Sequence, residues 1–294
     1  MLNTDVRLHN SSPSRDSRKF GVGNRFSVLA SLYIGSKPSD LQRCLESVEN
    51  QTLAPDQVVI VLDGPVVREI ESLIYSFSTR LPIETLGLER NQGLGKALAA
   101  GLEICKHELV ARVDTDDISL AQRFEMQVAF LLQNSEVAVL GAAMQETYCF
   151  KGKTVSRQRM GAGEQLDVTK LARVRNPLNH PTVMFRKTLV ESVGGYVDCP
   201  FFEDYYLWAR IISANHKIAN LSEVLVETEI DESYFSRRGG WEYMRAERQF
   251  LIRLRKLGFL KGYHLVFWIV ARTPLRILPS GLRKFVYMLF LRRT

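Results

Sequence analysis

The sequence predicts an α/β fold in which helices flank a mostly parallel, twisted sheet. From residue 26 onward, short apolar runs alternate with segments of helical periodicity, which is the pattern of repeated strand–helix–strand units. The run 58–62, Val-Val-Ile-Val-Leu, is apolar at every position, as expected of a strand that is covered on both faces. With 294 residues, of which 46% are hydrophobic, the chain can bury a sizeable core.

Each element of this pattern has its own local signal. The signatures Ser39-x-x-Gln42 and Ser119-x-x-Gln122 predict capping boxes at the starts of two helices. The polar, glycine-rich stretch 152–163 predicts a loop. The predicted strands are 26–32, 58–62, 82–86, 109–113, 137–142, 144–150, 182–185 and 224–228, and the other predicted helices are 67–77, 94–105, 164–174, 203–214 and the stretch from Trp241 onward.

The distribution of charge separates the C-terminus from the rest of the chain. Of the 39 Lys and Arg residues, 11 lie between Arg248 and Arg293, and that stretch contains no Asp or Glu. The remaining 28 basic and 32 acidic residues leave the body mildly acidic. We therefore predict a polar, disordered leader at 1–24, one large domain at 25–245 and a basic amphipathic helical tail at 246–294.

The tail and the cysteines bear on the location of the protein. A basic tail rich in Phe, Trp, Tyr and Leu favours a peripheral contact with anionic lipid over a contact with nucleic acid. The alternative is a helical cap whose apolar face packs on the body. No uncharged apolar run reaches the about 18 residues of a spanning helix. The four separated cysteines indicate reduced thiols, so we expect a cytoplasmic protein, at the inner face of the cytoplasmic membrane if the tail binds lipid.

The run 114–117, Asp-Thr-Asp-Asp, is the sharpest local signal. It follows the apolar strand 109–113 directly, and ligands of open α/β sheets bind at the carboxyl ends of the strands. Three carboxylates within four residues repel one another unless a cation or sugar hydroxyls compensate them. A solvated acidic turn that caps the next helix is the alternative. The placement after a buried strand favours a divalent cation held by Asp114 and Asp116.

Two other strand ends carry candidate binding residues. Asp63 could hydrogen-bond a nucleobase or a ribose, or it could be a turn residue ahead of Gly64. Lys96 follows the glycine-rich helix start 91–95, where backbone amides and an ammonium group could meet phosphate, and an exposed helical lysine is the alternative. The pair Gly93-x-Gly95 lacks the third glycine of a dinucleotide fingerprint.

The second half of the chain adds three candidates. Glu203 and Asp204 open a helix, where a carboxylate is stabilised in its ionised form and could serve as a base, although a plain first-turn cap is the alternative. His180 could touch a ligand, but a hydrogen-bonded structural histidine is the interpretation we favour. Arg237 and Arg238 could clamp a diphosphate, with a solvated basic loop as the alternative.

Taken together, these motifs resemble the family 2 glycosyltransferases that build bacterial exopolysaccharide and lipopolysaccharide. The resemblance covers about residues 26–243 and depends on the ordered set, not on one motif. The set is Phe26-Ser-Val-Leu-Ala-Ser-Leu-Tyr33, Asp63-Gly64, Asn91-Gln-Gly-Leu-Gly-Lys96, Ala111-Arg-Val-Asp-Thr-Asp-Asp117, Asn176-Pro-Leu-Asn-His-Pro-Thr182, Gly194-Gly-Tyr196 and Glu203-Asp-Tyr205.

The resemblance implies a GT-A fold, with a nucleotide-binding half at about 25–118 and an acceptor-binding half at about 119–245. It implies that Ser31 and Asp63 contact the base of a nucleotide-sugar donor and that Lys96 lies near the phosphates.

It also implies that Asp114 and Asp116 are the D-x-D motif that binds ribose and a divalent metal, Mg²⁺ or Mn²⁺. Asp204 matches the catalytic base. The expected reaction is the transfer of one sugar, with inversion, to the hydroxyl of a saccharide acceptor that a lipid carrier could present. The Gln-x-x-Arg-Trp motif of processive members is not present in the sequence, which indicates a single addition.

Two rival functions share much of this pattern. A sugar nucleotidyltransferase would have the same core and metal, but it would need a glycine-rich loop with a basic residue after the first strand, which 33–37 matches poorly. A non-catalytic, membrane-docked module that binds nucleotide sugars is the second rival, because a fold does not prove an activity.

Overall fold

The computed structural model describes residues 24–150, 153–161, 168–230 and 239–277. Almost all of the predicted leader, residues 237 and 238, and the tail beyond 277 lie outside this part. The strands are β1 Phe26–Leu32, β2 Gln57–Leu62, β3 Ile83–Gly87, β4 Leu109–Arg112, β5 Asp117–Ser119, β6 Val137–Phe150, β7 Lys153–Arg159, β8 Met184–Arg186 and β9 Lys217–Ile230. The helices are α1 Pro38–Glu49, α2 Arg68–Phe77, α3 Leu94–Ile104, α4 Arg123–Gln133, α5 Val168–Leu171, α6 Lys187–Ser192, α7 Glu203–Ser213, α8 Gly240–Lys256 and α9 Gly262–Ile277, with a 3-10 turn at His180–Thr182.

The first four strands of the sheet are parallel, in the order β3-β2-β1-β4. Successive side chains of β1 and β2 enter two different cores, because they point to opposite faces of the sheet. Val28 and Ile60 pack beneath α1 and α2, whereas Leu29 and Val59 pack against α3 and α7. Burial on both faces explains why these strands are apolar at nearly every position. The predicted α/β class is confirmed.

The second half of the sheet continues in the order β8-β6-β9-β5. β8 is antiparallel to both β4 and β6, β6 is parallel to β9, and β5 is antiparallel to β9. Four strand spacings separate β4 from β5, and they would measure about 19 Å in a flat sheet. The five-residue step from 112 to 117 can span only about 18 Å when fully extended, and a turn shortens it. The sheet is therefore strongly curled, and the acidic run bridges its two ends.

Several sequence-based predictions of local structure are wrong. α1 begins at Pro38, and α4 begins after Gln122, each without a side-chain cap hydrogen bond, so neither capping box forms. Ser119 pairs with Val226 in β5 instead, because a sheet partner from far along the chain is available. The predicted loop 152–163 contains β7, which pairs with β6.

Other elements are longer or shorter than predicted. The predicted strands 137–142 and 144–150 are one strand, β6, whose register shifts between Gly141 and Met144. Of the predicted helix 164–174, the described part is helical only over Val168–Leu171. The last strand, β9, extends well beyond the predicted 224–228, because β6 pairs with it from Lys217 to Ile230.

The two C-terminal helices pack onto α7 through a third hydrophobic cluster. Phe250 of α8 is fully buried and stacks on Phe202 with ring centroids 4.5 Å apart, and Trp268 of α9 packs against Tyr205. The predicted domain boundary at 245 falls inside α8. No helix in the described part of the chain is long and apolar enough to cross a membrane.

Replacement of Phe250 with Ala tests whether α8 is part of the folded body. Loss of a fully buried, stacked ring should lower the free energy of unfolding by about 3–5 kcal/mol, measured by urea denaturation. Ile252→Ala is the matched control on the same helix, because Ile252 is 43% exposed and should cost less than about 1 kcal/mol. Equal stability of the two variants would contradict this packing.

Candidate functional site

The acidic run lies at the carboxyl ends of the parallel strands, where it crosses from β4 to β5. One carboxylate oxygen from each of Asp114, Asp116 and Asp117 lies within 4.8 Å of the others. Asp117 is buried, Asp114 is half-buried and Asp116 is exposed. The three side chains therefore form a compact group of hard oxygen donors that opens to solvent at Asp116, which is the ligand chemistry that Mg²⁺ and Mn²⁺ prefer.

This concentration of negative charge alters the protonation of the group. Desolvation and then the charge of Asp114 raise the pKa of Asp116 to about 6. The side chain of Asp116 is nevertheless exposed. The surrounding protein therefore removes part of its hydration without burying it. Burial and then the charges of Asp114 and Asp116 raise the pKa of Asp117 well above its usual range. A proton therefore competes with any cation for these oxygens.

Arg112 is a candidate functional residue that the sequence analysis did not single out. It is 1% exposed, and one Nη donates to a carboxylate oxygen of Asp114 across 2.5 Å. Its Nε and second Nη have no hydrogen-bond partner in the described part of the chain. A buried guanidinium thus lies beneath the acidic run and offsets part of its charge. The sequence signal was a basic residue inside an apolar strand, immediately before the acidic cluster.

Asp63 shapes the glycine-rich start of α3. Its two carboxylate oxygens accept hydrogen bonds from the backbone N–H groups of Gln92 at 2.7 Å and Gly93 at 2.9 Å. Gly64 has a φ of +86°, and a Cβ there would lie 2.6 Å from the backbone nitrogen of Asn91. Only glycine permits this approach, so the Asp-Gly pair fixes the loop 91–93 against the end of β2. Ser31 lies beside this end, opposite Val61 in the register of β1 and β2.

Lys96 links the first turn of α3 to the segment before α7. Its ammonium lies 3.2 Å from a carboxylate oxygen of Asp198, and both side chains are about half exposed. A Cβ on Gly95 would approach the carbonyl of Val197 to 2.7 Å and the Cβ of Glu203 to 3.3 Å. The start of α3 therefore lies directly against the start of α7, which brings Lys96 close to the two acids there.

Asp204 occupies the first turn of α7, as predicted. One of its carboxylate oxygens accepts a hydrogen bond from Asn176 Nδ2 at 2.6 Å, and the other accepts one from the backbone N–H of Tyr205 at 2.6 Å. Donors on both oxygens fix the orientation of the carboxylate and suit its charged form. The role of Asn176 depends on packing between distant segments, so no local pattern could have indicated it.

Glu203 differs sharply from its neighbour. Burial, and then the charge of Asp204, raise the pKa of Glu203 to about 8, so this carboxyl group is protonated at neutral pH. The charges of Arg112 and Asp114 also affect it, the first lowering and the second raising its pKa. The N-terminus of α7 therefore lies close to Arg112 and the acidic run.

His180 belongs to the wall behind the crevice. Its Nε2 lies 3.0 Å from the hydroxyl of Tyr196, and its ring makes an edge contact with Trp208. Burial and then the charge of Arg112 lower the pKa of His180 well below its usual range, so the ring is neutral. The favoured interpretation, a hydrogen-bonded structural histidine, agrees with these contacts.

The chain also resembles known proteins. The family described as Glycosyl transferase family 2 matches residues 28–193, which include the acidic run, Asp63 and the loop 91–93. The chain belongs to this family. The predicted family membership is thus confirmed, and the chain is a glycosyltransferase.

Relatives of high identity extend the match over nearly the whole chain. The amylovoran biosynthesis glycosyltransferase AmsE of Erwinia amylovora is 40% identical over 265 residues, 89% of this chain and 97% of that protein. The UDP-Gal:alpha-D-GlcNAc-diphosphoundecaprenol beta-1,3-galactosyltransferase of Escherichia coli is 34% identical over 269 residues, 92% of this chain and 97% of that protein. The relatives thus include enzymes named for polysaccharide assembly.

Solved structures support the fold. S. aureus TarS 1-349, in complex with UDP-GlcNAc, has a TM-score of 0.62 at 18% identity, covering 78% of this chain and 66% of that chain. The mannosyltransferase PcManGT from Pyrobaculum calidifontis, in complex with GDP-Man and Mn²⁺, has a TM-score of 0.56 at 15% identity, covering 91% of this chain and 80% of that one. The predicted GT-A fold of this family 2 glycosyltransferase is confirmed.

A double-mutant cycle tests the buried pair beneath the site. Arg112→Met and Asp114→Asn each leave one charged group without its partner, so the double variant should be more stable than the sum of the single effects by about 1–3 kcal/mol. Urea denaturation of the four proteins measures this coupling. The exposed pair Lys96–Asp198 is the matched control and should show coupling below about 1 kcal/mol. Additive effects of the Arg112 and Asp114 changes would exclude a tight pair in solution.

Proposed function

We propose that this family 2 glycosyltransferase moves one sugar, with inversion, from a nucleotide-diphosphate sugar to the hydroxyl of a saccharide acceptor. The observation that carries the proposal is a proximity: Asp204 is held by two hydrogen bonds, and its neighbour Glu203 lies close enough to Asp114 for that charge to raise its pKa. A base and a diphosphate site on opposite sides of one crevice are the two requirements of a direct displacement at an anomeric carbon.

The donor lies, in this proposal, along the ends of β1, β2 and β4. Ser31 and Asp63 border the pocket for the base, and Asp63 fixes the loop 91–93 at the start of α3 by accepting hydrogen bonds from two of its backbone amides. Lys96 supplies an ammonium group near the phosphates, and it must exchange its exposed contact with Asp198 for that role. Asp114 binds ribose and shares the metal with Asp116.

The side chains of the acidic run fit a divalent cation, Mg²⁺ or Mn²⁺. Their carboxylate oxygens converge within 4.8 Å, and Asp116 keeps the group open toward solvent. The mannosyltransferase PcManGT, which is similar in fold, is described with Mn²⁺. When bound, the cation would act as a Lewis acid that neutralises the charge developing on the departing diphosphate.

Asp204 removes the proton from the acceptor hydroxyl as that oxygen attacks the anomeric carbon. Of the two adjacent acids, Glu203 has a pKa that desolvation and the charge of Asp204 raise to about 8, so it does not suit a base that must be charged at neutral pH. Asp204 has the two donors that suit a carboxylate, and Asn176 aims it toward the crevice. A single displacement of this kind inverts the anomeric configuration.

The acceptor is, in this proposal, a saccharide on a lipid carrier in exopolysaccharide or lipopolysaccharide assembly. The relatives named for amylovoran biosynthesis and for an acceptor on diphosphoundecaprenol support this class. The basic C-terminal helices would then contact the inner face of the cytoplasmic membrane, where such an acceptor could be presented.

Asp204→Asn tests the base. We expect kcat for nucleoside diphosphate release to fall by about 10²–10⁴-fold, with donor KM changed only a few-fold, because the donor pocket is intact. The assay uses a panel of nucleotide sugars with a mixture of saccharide acceptors. Glu242→Gln is the matched control, since Glu242 is also an acid in the first turn of a helix, α8, but its side chain is exposed.

Three outcomes separate the alternatives. Release that Asp204→Asn leaves unchanged would remove Asp204 as the base. Consumption of a sugar phosphate and a nucleoside triphosphate would identify a sugar nucleotidyltransferase instead. Donor binding without turnover, under any acceptor condition, would favour the non-catalytic module.

The affinity for Mn²⁺ should depend on pH. A proton on Asp116 must leave before the cation binds, and its pKa is about 6, so the affinity should fall as the pH decreases through 6. From pH 7 to pH 5, protonation of Asp116 alone should weaken binding by about tenfold. Isothermal titration of the wild type and Asp116→Asn measures this. An affinity that does not change with pH would contradict the assignment.

A further inference from the structure

One face of α9 presents large apolar side chains to solvent. Tyr263, Val266, Phe267 and Val270 are 64%, 61%, 50% and 69% exposed, and they follow the spacing of a single helical stripe. Ile269, beside them, is 56% exposed. We call these five residues the α9 face. A contiguous apolar surface of this kind marks a contact with a protein or a membrane.

The opposite side of α9 is already covered. Trp268 is 1% exposed and packs against Phe250 with ring centroids 6.0 Å apart, while Leu265 packs against the same cluster. Trp268 Nε1 also donates a hydrogen bond to the carbonyl of Arg173 at 2.9 Å. The helix is therefore fixed to the body by one side, and the α9 face is a second, separate surface.

The surroundings of the α9 face are basic. Arg255, Lys256 and Lys261 are exposed at the turn that connects α8 and α9. Lys261 and Arg173 lie close enough to His264, on the first turn of α9, to lower its pKa, after the larger effect of burial. From residue 248 to the end of the described part, at 277, the chain has no acidic side chain.

The positive charge near the α9 face distinguishes between two partners that could cover it, a second copy of the chain and a lipid bilayer. A second copy in a two-fold contact would bring its own cations against these, which opposes association. An anionic bilayer has the complementary charge, and its interface takes up Tyr and Phe together with flanking Lys and Arg.

The α9 face is also connected to the proposed catalytic base. Tyr205, next to Asp204, donates its hydroxyl to the carbonyl of Ala172, and its ring packs against Trp268. The segment 172–176 thus accepts hydrogen bonds from α7 at Ala172 and from α9 at Arg173. It ends at Asn176, whose side chain donates to Asp204. The α9 face is about one helix diameter, ~10 Å, beyond Trp268.

We propose that the α9 face docks on the surface of an anionic lipid bilayer and thereby holds the N-terminus of α7 next to the membrane. The purpose assigned to this contact rests on the proposed function, because an acceptor on a lipid carrier has its reactive saccharide near that surface. The contact itself needs no turnover, so it can be measured independently.

The test is sedimentation of the full chain with vesicles. Vesicles of phosphatidylglycerol and phosphatidylcholine in equal parts are compared with vesicles of phosphatidylcholine alone. The double variant Val266→Glu/Val270→Glu places two anions on the α9 face without touching the packed side. Tyr75→Glu is the matched control, since Tyr75 is 78% exposed on α2.

We expect the wild type and Tyr75→Glu to sediment with the anionic vesicles and much less with the neutral ones. The double variant should lose at least about tenfold in partition coefficient. Nucleoside diphosphate release with a soluble acceptor should stay within about twofold of wild type for all three proteins, which shows that the double variant is folded. Failure of donor turnover in every protein would reject the proposed function and leave the sedimentation result intact.

Equal sedimentation of the double variant and the wild type would overturn the inference, as would a wild type that stays in the supernatant. A wild type that is dimeric and does not bind vesicles, with a double variant that is monomeric, would assign the α9 face to a second copy and also overturn it.

Discussion

The site depends on how the negative charge of the run 114–117 is compensated. Three carboxylates at the end of one buried strand would repel one another and destabilise the turn. Two compensations act within the protein: the buried guanidinium of Arg112 binds Asp114, and burial raises the pKa of Asp117 well above its usual range, which favours its neutral form. The charge of Arg112 also acts on Asp116, the exposed member, but the pKa of Asp116 is still raised to about 6 by desolvation and the charge of Asp114. The protein has thus stabilised the inner part of the cluster with its own groups and left the outer part for what enters the crevice.

The curl of the sheet then decides what shares the crevice with these acids. The step from β4 to β5 is too short for a flat sheet. The sheet therefore curls, which brings β9 and its neighbours toward the ends of the parallel strands. α7 packs on the same face as α3, so Glu203 comes to within contact of the first turn of α3. Two adjacent acids thus have different surroundings. Desolvation at this contact raises the pKa of Glu203 to about 8, whereas the carboxylate of Asp204 accepts two hydrogen bonds.

Local signals in the sequence were sufficient to predict the central sheet, and they drew attention to the acids at its strand ends. β1 and β2 are apolar at nearly every position because both faces are covered, and Asp63 and the acidic run stand out because they follow such strands. Several of the failures involve partners far along the chain. Ser119 looks like a helix cap until β9 pairs with it, and β7 looks like a loop until β6 does. The contact between Asn176 and Asp204 and the orphaned nitrogens of Arg112 likewise arise only when separate segments meet.

The antiparallel strand β8 has a consequence for engineering. It hydrogen-bonds to β4 on one side and to β6 on the other, so a single ladder runs through both halves of the enzyme. A fragment that ended after β5 would leave the apolar strand β4 as an open edge, ready to pair with other chains, and β5 without its partner. In chimaeras that exchange donor specificity between relatives, residues 184–186 should therefore come from the same relative as the first half. Two fragments divided at residue 118 should aggregate instead of associating into an active enzyme.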